Sequence, residues 1–328
     1  MASEQGYIDM LVNGRKSSSK RLIGGSAYKQ LHRTYVNKAP EVMVKVSGGG
    51  KTTQHVQAHL DYITRNGKIE AINDQGEKIN GKEGIREAFD AWDIDASGGQ
   101  GKNRQAFNIV LSMPAGTSPD GLLDAAQAFA RDEFYGQRQY MMVLHTPDTD
   151  PNKNAPDHPH VHLVVKAEGL DGQRLHIRKA TLEQWRESFA EKLRERGIEA
   201  NATRRAVRGK TRRGKKVGVL ATEKRGQSRV LKEKFKEARE ELIGNSNKPR
   251  PWEKAIENRR RSTIRQLYGA AAEVEKDMPE LAKGLREFAK NLPAEAEKTE
   301  MQAIKEAIVK QVHLRRVQDK AQSLDQER

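Results

Sequence analysis

The chain has 328 residues, with Lys+Arg 60 against Asp+Glu 45, a formal net charge of +15, and no cysteine. The length allows two domains with a substantial core, and the charge favours a polyanionic partner, of which nucleic acid is the commonest. Disulfides, thiolate catalysis and Cys-ligated zinc are excluded, so any metal falls to His, Asp or Glu.

Residues 1–40 are polar and rich in Ser, Lys and Gly, and read as an N-terminal extension without periodicity. They contain no apolar h-region of a signal peptide, and no later run has the length of a bilayer span, so a cytoplasmic protein without membrane insertion is expected. EVMVKV (41–46) predicts a short strand, followed by the turn SGGGKTT. Residues 53–65, TQHVQAHLDYITR, predict a helix capped by Thr52 or Thr53 and closed by Gly67. Between 70 and 105 only a short helix around 83–92 is expected.

FNIVLS (107–112) alternates like a strand. Ser118 and Pro119 then predict the N-cap and first residue of a helix striped by Leu122, Ala126 and Phe129. QYMMVLH (139–145) predicts another strand, and residues 160–177, turning at Leu-Asp-Gly, predict a β-hairpin. TLEQ (181–184) reads as a capping box before a helix striped by Leu182, Trp185, Phe189 and Leu193 and ended by Gly197. Beyond it lies TRRAVRGKTRRGKK (203–216), a basic stretch without acids, and then charged helical segments interrupted at Pro249, Pro251, Pro279 and Pro293.

HPHVHLVV (158–165) places three histidines on alternate positions. In a strand His158, His160 and His162 share one face, while Val161, Leu163 and Val165 face a core. His145 ends the preceding strand candidate, and adjacent strands bring it beside His160 and His162. That is a three-imidazole metal site with open positions for substrate oxygens; the competing reading is a polar strand edge without metal. Asp148, Asp150 and Asp157 are near in sequence and suited to orienting the ligands.

On the helix at 53–65, Val56, Leu60 and Ile63 form the apolar stripe, and His55, His59 and Tyr62 lie on a second face near the surface. A phenol is a poor nucleophile near neutral pH because its pKa is about 10. A cation that withdraws charge from a phosphodiester lowers that demand and permits a covalent phosphotyrosine.

Three segments, GGGKTTQHVQAHLDYITRNGKIE (48–70), FNIVLSMPAGT (107–117) and DHPHVHLVV (157–165), together resemble conjugative relaxases. The branch is the P-type mobilisation group, which includes the border-cleaving relaxases of tumour-inducing plasmids, within the HUH endonucleases. GIEANATRRAVRG (197–209) resembles the segment that closes that domain, so the resemblance covers about residues 42–205. It implies an α+β fold, a relaxase domain over 41–205 with a central antiparallel sheet flanked by helices. A basic linker (206–229) and a charged helical C-terminal region (230–328) follow.

The resemblance assigns Tyr62 as nucleophile and His145, His160 and His162 as ligands of a divalent metal, Mg²⁺ or Mn²⁺. The orienting acid is expected to be Asp148 or Asp157, because the gap between His145 and the histidine pair is longer here than the family pattern. The implied reaction is site- and strand-specific nicking and rejoining at an origin of transfer, through a 5′-phosphotyrosyl intermediate. Relaxosome accessory proteins and a type IV secretion coupling protein are the implied partners, with export of the chain bound to its DNA. The rival readings are a rolling-circle replication initiator, a non-catalytic DNA-binding relaxosome component and a His-ligated hydrolase of another substrate. Arg204, Arg205, Arg208, Lys210, Arg212 and Arg213 are candidates for tracking the phosphate backbone, against the plainer reading of a solvated linker.

Overall fold

The computed structural model describes residues 6–13, 25–94, 103–150, 156–204, 208, 215, 217–244, 250–292 and 298–326. The chain divides into two compact units, Asn37–Ala202 and a second that joins Met1–Val36 to Thr203–Arg328.

The chain opens with α1 (Tyr7–Asn13) and α2 (Gly25–Tyr35). The first unit then runs β1 (Met43–Gly48), α3 (Thr53–Ile63), β2 (Ala71–Asn73), β3 (Lys78–Ile79), α4 (Gly81–Asp90), β4 (Ala106–Ser112), α5 (Pro119–Phe134), β5 (Tyr140–His145), β6 (His160–Lys166) and α6 (Lys179–Arg194). Its strands form an antiparallel sheet in the order β1-β4-β6-β5-β2-β3. This is the expected α+β fold.

Alternation along the strands splits the core in two. Val161, Leu163 and Val165 of β6, with Ile109 and Leu111 of β4, pack against Phe129 of α5 and Trp185 and Phe189 of α6. Val164 of β6 and Met141 and Val143 of β5 pack on the opposite face against Val56, Leu60 and Ile63 of α3 and Phe89 of α4. His160 and His162 share the face of Val164 and continue that layer beyond its apolar part.

Two local expectations need correction. Residues 160–177 are not a hairpin: the turn forms, but the return leg makes only the bridge Glu168↔Arg174 before α6 begins. The reason is topological, since β6 already pairs on both sides, with β4 and β5, and has no edge to offer. Nor does Thr181 cap α6; the helix starts at Lys179, and the Thr181 hydroxyl sits inside it, accepting from the Arg178 N–H.

The second unit continues with α7 (Val217–Lys224), α8 (Arg229–Ile243), α9 (Pro251–Val274), α10 (Pro279–Lys290) and α11 (Glu300–Gln326). Pro251 and Pro279 occupy first-turn positions, where their missing N–H costs nothing. Within the expected polar extension over 1–40, the described stretches 7–13 and 25–35 are two core helices. Ile8 and Leu11 of α1 and Leu31 and Tyr35 of α2 are buried with Leu267 and Ala271 of α9 and Leu281 and Leu285 of α10. A low average hydropathy hid these two short apolar stripes. Glu273 holds the first turn of α1 by accepting from the Gly6, Tyr7 and Ile8 N–H groups. Among the described residues no helix is long and apolar enough to cross a membrane.

Candidate metal centre and nucleophile

Register brings the histidines together. His145 lies directly opposite His160 across β5 and β6, and His162 is two residues further along the same face. The ring centroids of His145 stand 5.2 Å from His160 and 4.7 Å from His162, and one nitrogen from each of the three rings lies within 4.8 Å of the others. His158 contributes its backbone: its carbonyl accepts from Nδ1 of His160 at 3.2 Å. Ser112 of β4 pairs with His160 from the other side and is buried.

The donor set fits a metal ion. Nε2 of His145 lies 2.6 Å from the Ile63 carbonyl oxygen. A carbonyl only accepts, so Nε2 carries the proton and Nδ1 keeps its lone pair. The same reasoning leaves Nε2 of His160 as its lone-pair nitrogen. Nδ1 of His145 and Nδ1 of His162 are buried without a hydrogen-bond partner among the described residues, an arrangement that costs free energy unless something binds there. Burial lowers the pKa of His145 and His160, and burial together with the neighbouring His145 and His160 pushes His162 down to about 3. The trio is therefore neutral at neutral pH, the state in which imidazole ligates metal.

The acid at this centre is Asp150, not Asp148 or Asp157. An Asp150 carboxylate oxygen lies 3.4 Å from Nδ1 of His145. The turn after β5 explains the choice: the Thr149 and Asp150 N–H groups both return to the Thr146 carbonyl, which leaves Asp148 exposed and folds Asp150 inward. Asp157 is exposed as well.

α3 delivers the tyrosine. The Thr52 side chain caps it by accepting from the His55 N–H, and Val56, Leu60 and Ile63 anchor its buried face. Tyr62 is consequently turned outward and is 58% exposed. His59, one helical turn earlier, stands between Tyr62 and the trio, with its ring 6.4 Å from that of Tyr62 and 6.3 Å from that of His162. Burial lowers the His59 pKa too.

The end of α3 is a Schellman closure, with the Asn66 N–H on the Asp61 carbonyl and the Arg65 N–H on the Tyr62 carbonyl. The left-handed position that this closure requires, usually glycine, is filled by Arg65 at φ 53°. A side chain there costs roughly 1–2 kcal/mol. Gly67, the predicted stop, comes two residues later at φ 78°. A Cβ on it would meet the Gly81 and Lys82 backbone at 2.3 Å.

The Arg65 guanidinium donates to the Tyr62 carbonyl at 2.6 Å and to Asp150 at 2.6 Å, and its central carbon lies 4.7 Å from the Tyr62 ring centroid. Sequence reasoning passed over Arg65, and His59 appeared in it only as a face-mate of Tyr62. For Arg65 the available signal was an Arg-Asn pair where the helix should have met its glycine.

Of the proposed backbone-tracking residues, Arg204 and Arg208 are described and half-buried, with an Arg208 guanidinium nitrogen donating to the Thr203 carbonyl. Arg205, Lys210, Arg212 and Arg213 lie outside the described residues.

Residues 62–198 match the family model for the relaxase MobA/VirD2-like nuclease domain. Among known proteins the chain is similar to the T-DNA border endonuclease VirD2 of Rhizobium radiobacter, 27% identical over 191 residues, which is 52% of this chain and 43% of the relative. It is likewise similar to VirD2 of Agrobacterium fabrum, 28% identical over 195 residues, which is 53% of this chain and 42% of the relative. The aligned part thus spans less than half the length of these relatives.

Proposed function

We propose, on the premise that residues 62–198 form a MobA/VirD2-like relaxase nuclease domain, that the chain nicks and rejoins one DNA strand at a specific site and so starts plasmid mobilisation. One observation carries this reading: three neutral imidazoles with free ring nitrogens converge at the end of the helix that exposes Tyr62.

In this reading Tyr62 Oη attacks the phosphorus of one phosphodiester. The new bond is tyrosyl O–P, the broken bond is P–O3′, and the phenolic proton is balanced by the proton taken up on the released 3′ oxygen. The phosphotyrosyl bond conserves the energy of the broken linkage, so the reverse attack reseals the strand without a high-energy cofactor. His145, His160 and His162 would hold a divalent metal, Mg²⁺ or Mn²⁺, which would supply charge withdrawal from the phosphate oxygens. The Ile63 carbonyl orients His145 by accepting its Nε2–H, and Asp150 places a negative charge beside the ligating nitrogen. Arg204, Arg205, Arg208, Lys210, Arg212 and Arg213 contribute phosphate contacts, in keeping with the net charge of +15. The cell context of this reading is the bacterial cytoplasm, with relaxosome accessory proteins and a type IV coupling protein as partners and export of the DNA-linked chain.

The test uses the full chain and its Tyr62→Phe variant on a supercoiled plasmid carrying the cognate origin, with Mg²⁺ or Mn²⁺, resolved on denaturing gels. The expected product is a nicked circle whose 5′ end carries protein, absent in the variant and absent under chelation. Nicking that persists in Tyr62→Phe would move the nucleophile elsewhere. Tight binding to the same plasmid without nicking by either protein would favour a non-catalytic relaxosome component.

A further inference from the structure

We infer that Arg65 is the positioning residue that makes the orientation of Tyr62 depend on the state of the histidine centre; this rests on the metal-centre reading above. The contacts form a closed ring. Arg65 touches Tyr62 at its ring and its carbonyl, and its other guanidinium nitrogen holds Asp150. Asp150 faces Nδ1 of His145, and the Nε2–H of His145 returns to the carbonyl of Ile63, the residue after Tyr62. The side chains of Arg65 and Asp150 are only 13% and 5% exposed, so the pair is little screened by solvent.

The ring has a weak point at Asp150. Its carboxylate oxygen faces His145 Nδ1 at 3.4 Å, and in the neutral ring, whose proton sits on Nε2 against the Ile63 carbonyl, that nitrogen carries a lone pair. Two acceptors at that distance repel unless positive charge is near, and Arg65 supplies it on one side. A cation bound by the trio supplies it on the other, and Asp150 then resets its position relative to Arg65. Because the guanidinium also lies against the Tyr62 ring, that adjustment reaches the phenol. Cation binding and nucleophile placement thereby become one event rather than two.

Backbone geometry gives independent support. Arginine occupies the left-handed closing position of α3, where glycine would sit without strain. A strained residue is retained where its side chain is needed, and the side chain here has the contacts just described. A purely structural role would be served better by glycine.

That contrast supplies the test. Arg65→Gly removes the side chain and relieves the backbone but leaves the buried Asp150 carboxylate without this counter-charge, so circular dichroism and Zn²⁺ binding, rather than the thermal midpoint, establish that the variant is folded. The full chain is prepared with 3-fluorotyrosine, and the ¹⁹F resonance of Tyr62 is identified by its disappearance in Tyr62→Phe. Diamagnetic Zn²⁺ is the probe, with its binding followed separately by calorimetry. In the parent chain Zn²⁺ shifts the Tyr62 resonance. In Arg65→Gly the ion still binds but the shift is lost, and the isosteric Asp150→Asn, which opens the ring from the other side, loses it as well. A Zn²⁺-induced shift of undiminished size in both variants overturns the inference while leaving the metal centre intact. Absence of Zn²⁺ binding to the parent chain is a different failure, which removes the metal-centre reading and this inference with it.

Discussion

Each unit of the molecule buries a cluster of charged and polar side chains, and the two clusters are built differently. In the helical unit, both carboxylate oxygens of Glu241 are answered: the two terminal nitrogens of Arg250 reach them at 2.7 and 3.3 Å, and Lys305 reaches one at 2.6 Å. In the sheet unit, Asp150 is held by Arg65 at 2.6 Å, yet among the described residues the adjacent Nδ1 of His145 and the Nδ1 of His162 have no hydrogen-bond partner. Buried polar groups are normally satisfied, because leaving one unpaired costs about 1–3 kcal/mol. The first cluster is finished by the chain itself and joins α8, α9 and α11. The second leaves two ring nitrogens open among the described residues, as a cation-binding site would.

The largest effect that could break this contrast comes from the ligands. His160→Ala combined with His162→Ala should abolish binding of Mn²⁺ in calorimetry, a loss greater than the ~10–100-fold typical of removing an outer partner of a ligand. The same double change also removes one of the orphaned nitrogens, so it should cost the fold less than two buried truncations ordinarily would. Mn²⁺ affinity unchanged in the double variant would show that the trio is merely a polar end to the sheet.

A smaller pair of effects sharpens the contrast by crossing the two clusters. Glu241→Gln removes the carboxylate shared by Arg250 and Lys305, although Arg250 keeps Glu237 at 3.1 Å, and should lower the thermal midpoint while leaving Mn²⁺ affinity alone. Asp150→Asn should do the reverse in emphasis, weakening Mn²⁺ binding by removing the negative charge 3.4 Å from the ligating Nδ1 of His145. If Glu241→Gln weakens Mn²⁺ binding as much as Asp150→Asn does, the two clusters do not have separate tasks.

Much of the sheet unit was legible in the sequence because its signals are local. Alternation marked β4, β5 and β6, Ser118-Pro119 marked the start of α5, and the alternate histidines marked one face of a strand. Register then placed His145 opposite His160, as adjacency of the two strands had implied. What failed depended on three-dimensional closure. Asp148 and Asp150 are equivalent as sequence, and only the turn built on Thr146 decides which of them faces inward. Arg65 was invisible because its significance lies in a backbone angle that favours another residue. The hairpin expected over 160–177 could not form once β6 was central, and centrality is a property of strand order, which no single segment carries. The helices α1 and α2 were missed because each has only a few apolar residues, and the elements that bury them, α9 and α10, lie more than two hundred residues later in the chain.

The finest test of the contrast is its pH dependence. An ordinary histidine has a pKa near 6.5, so at pH 6 three such rings would together hold about two protons, which a metal would have to displace. Here burial keeps His145, His160 and His162 below that value in the folded chain, while Asp150 opposes the shift at His145 and His160 and Arg65 reinforces it at His145 and His162. Mn²⁺ binding at pH 7 should therefore release almost no protons, and the release should stay well below two at pH 6. Calorimetry in buffers of differing ionisation enthalpy measures this directly. The same shifts act on stability. Below about pH 7 the unfolded chain takes up protons that the folded trio refuses, so stability falls with pH from there downward and for His162 continues to fall towards about 3. Glu241 works in a different window. Arg250 and Lys305 hold it down to about 2, so its contribution is complete above the ordinary value of 4.5 and is lost between that pH and about 2. Glu241→Gln should flatten only the acid end of the stability profile, whereas loss of the trio should flatten a part that starts near pH 7 and, through His162, runs towards about 3. A profile that loss of the trio leaves unchanged would mean that the buried histidines titrate like exposed ones, and the centre would then lack the neutral nitrogens on which binding of a cation would depend.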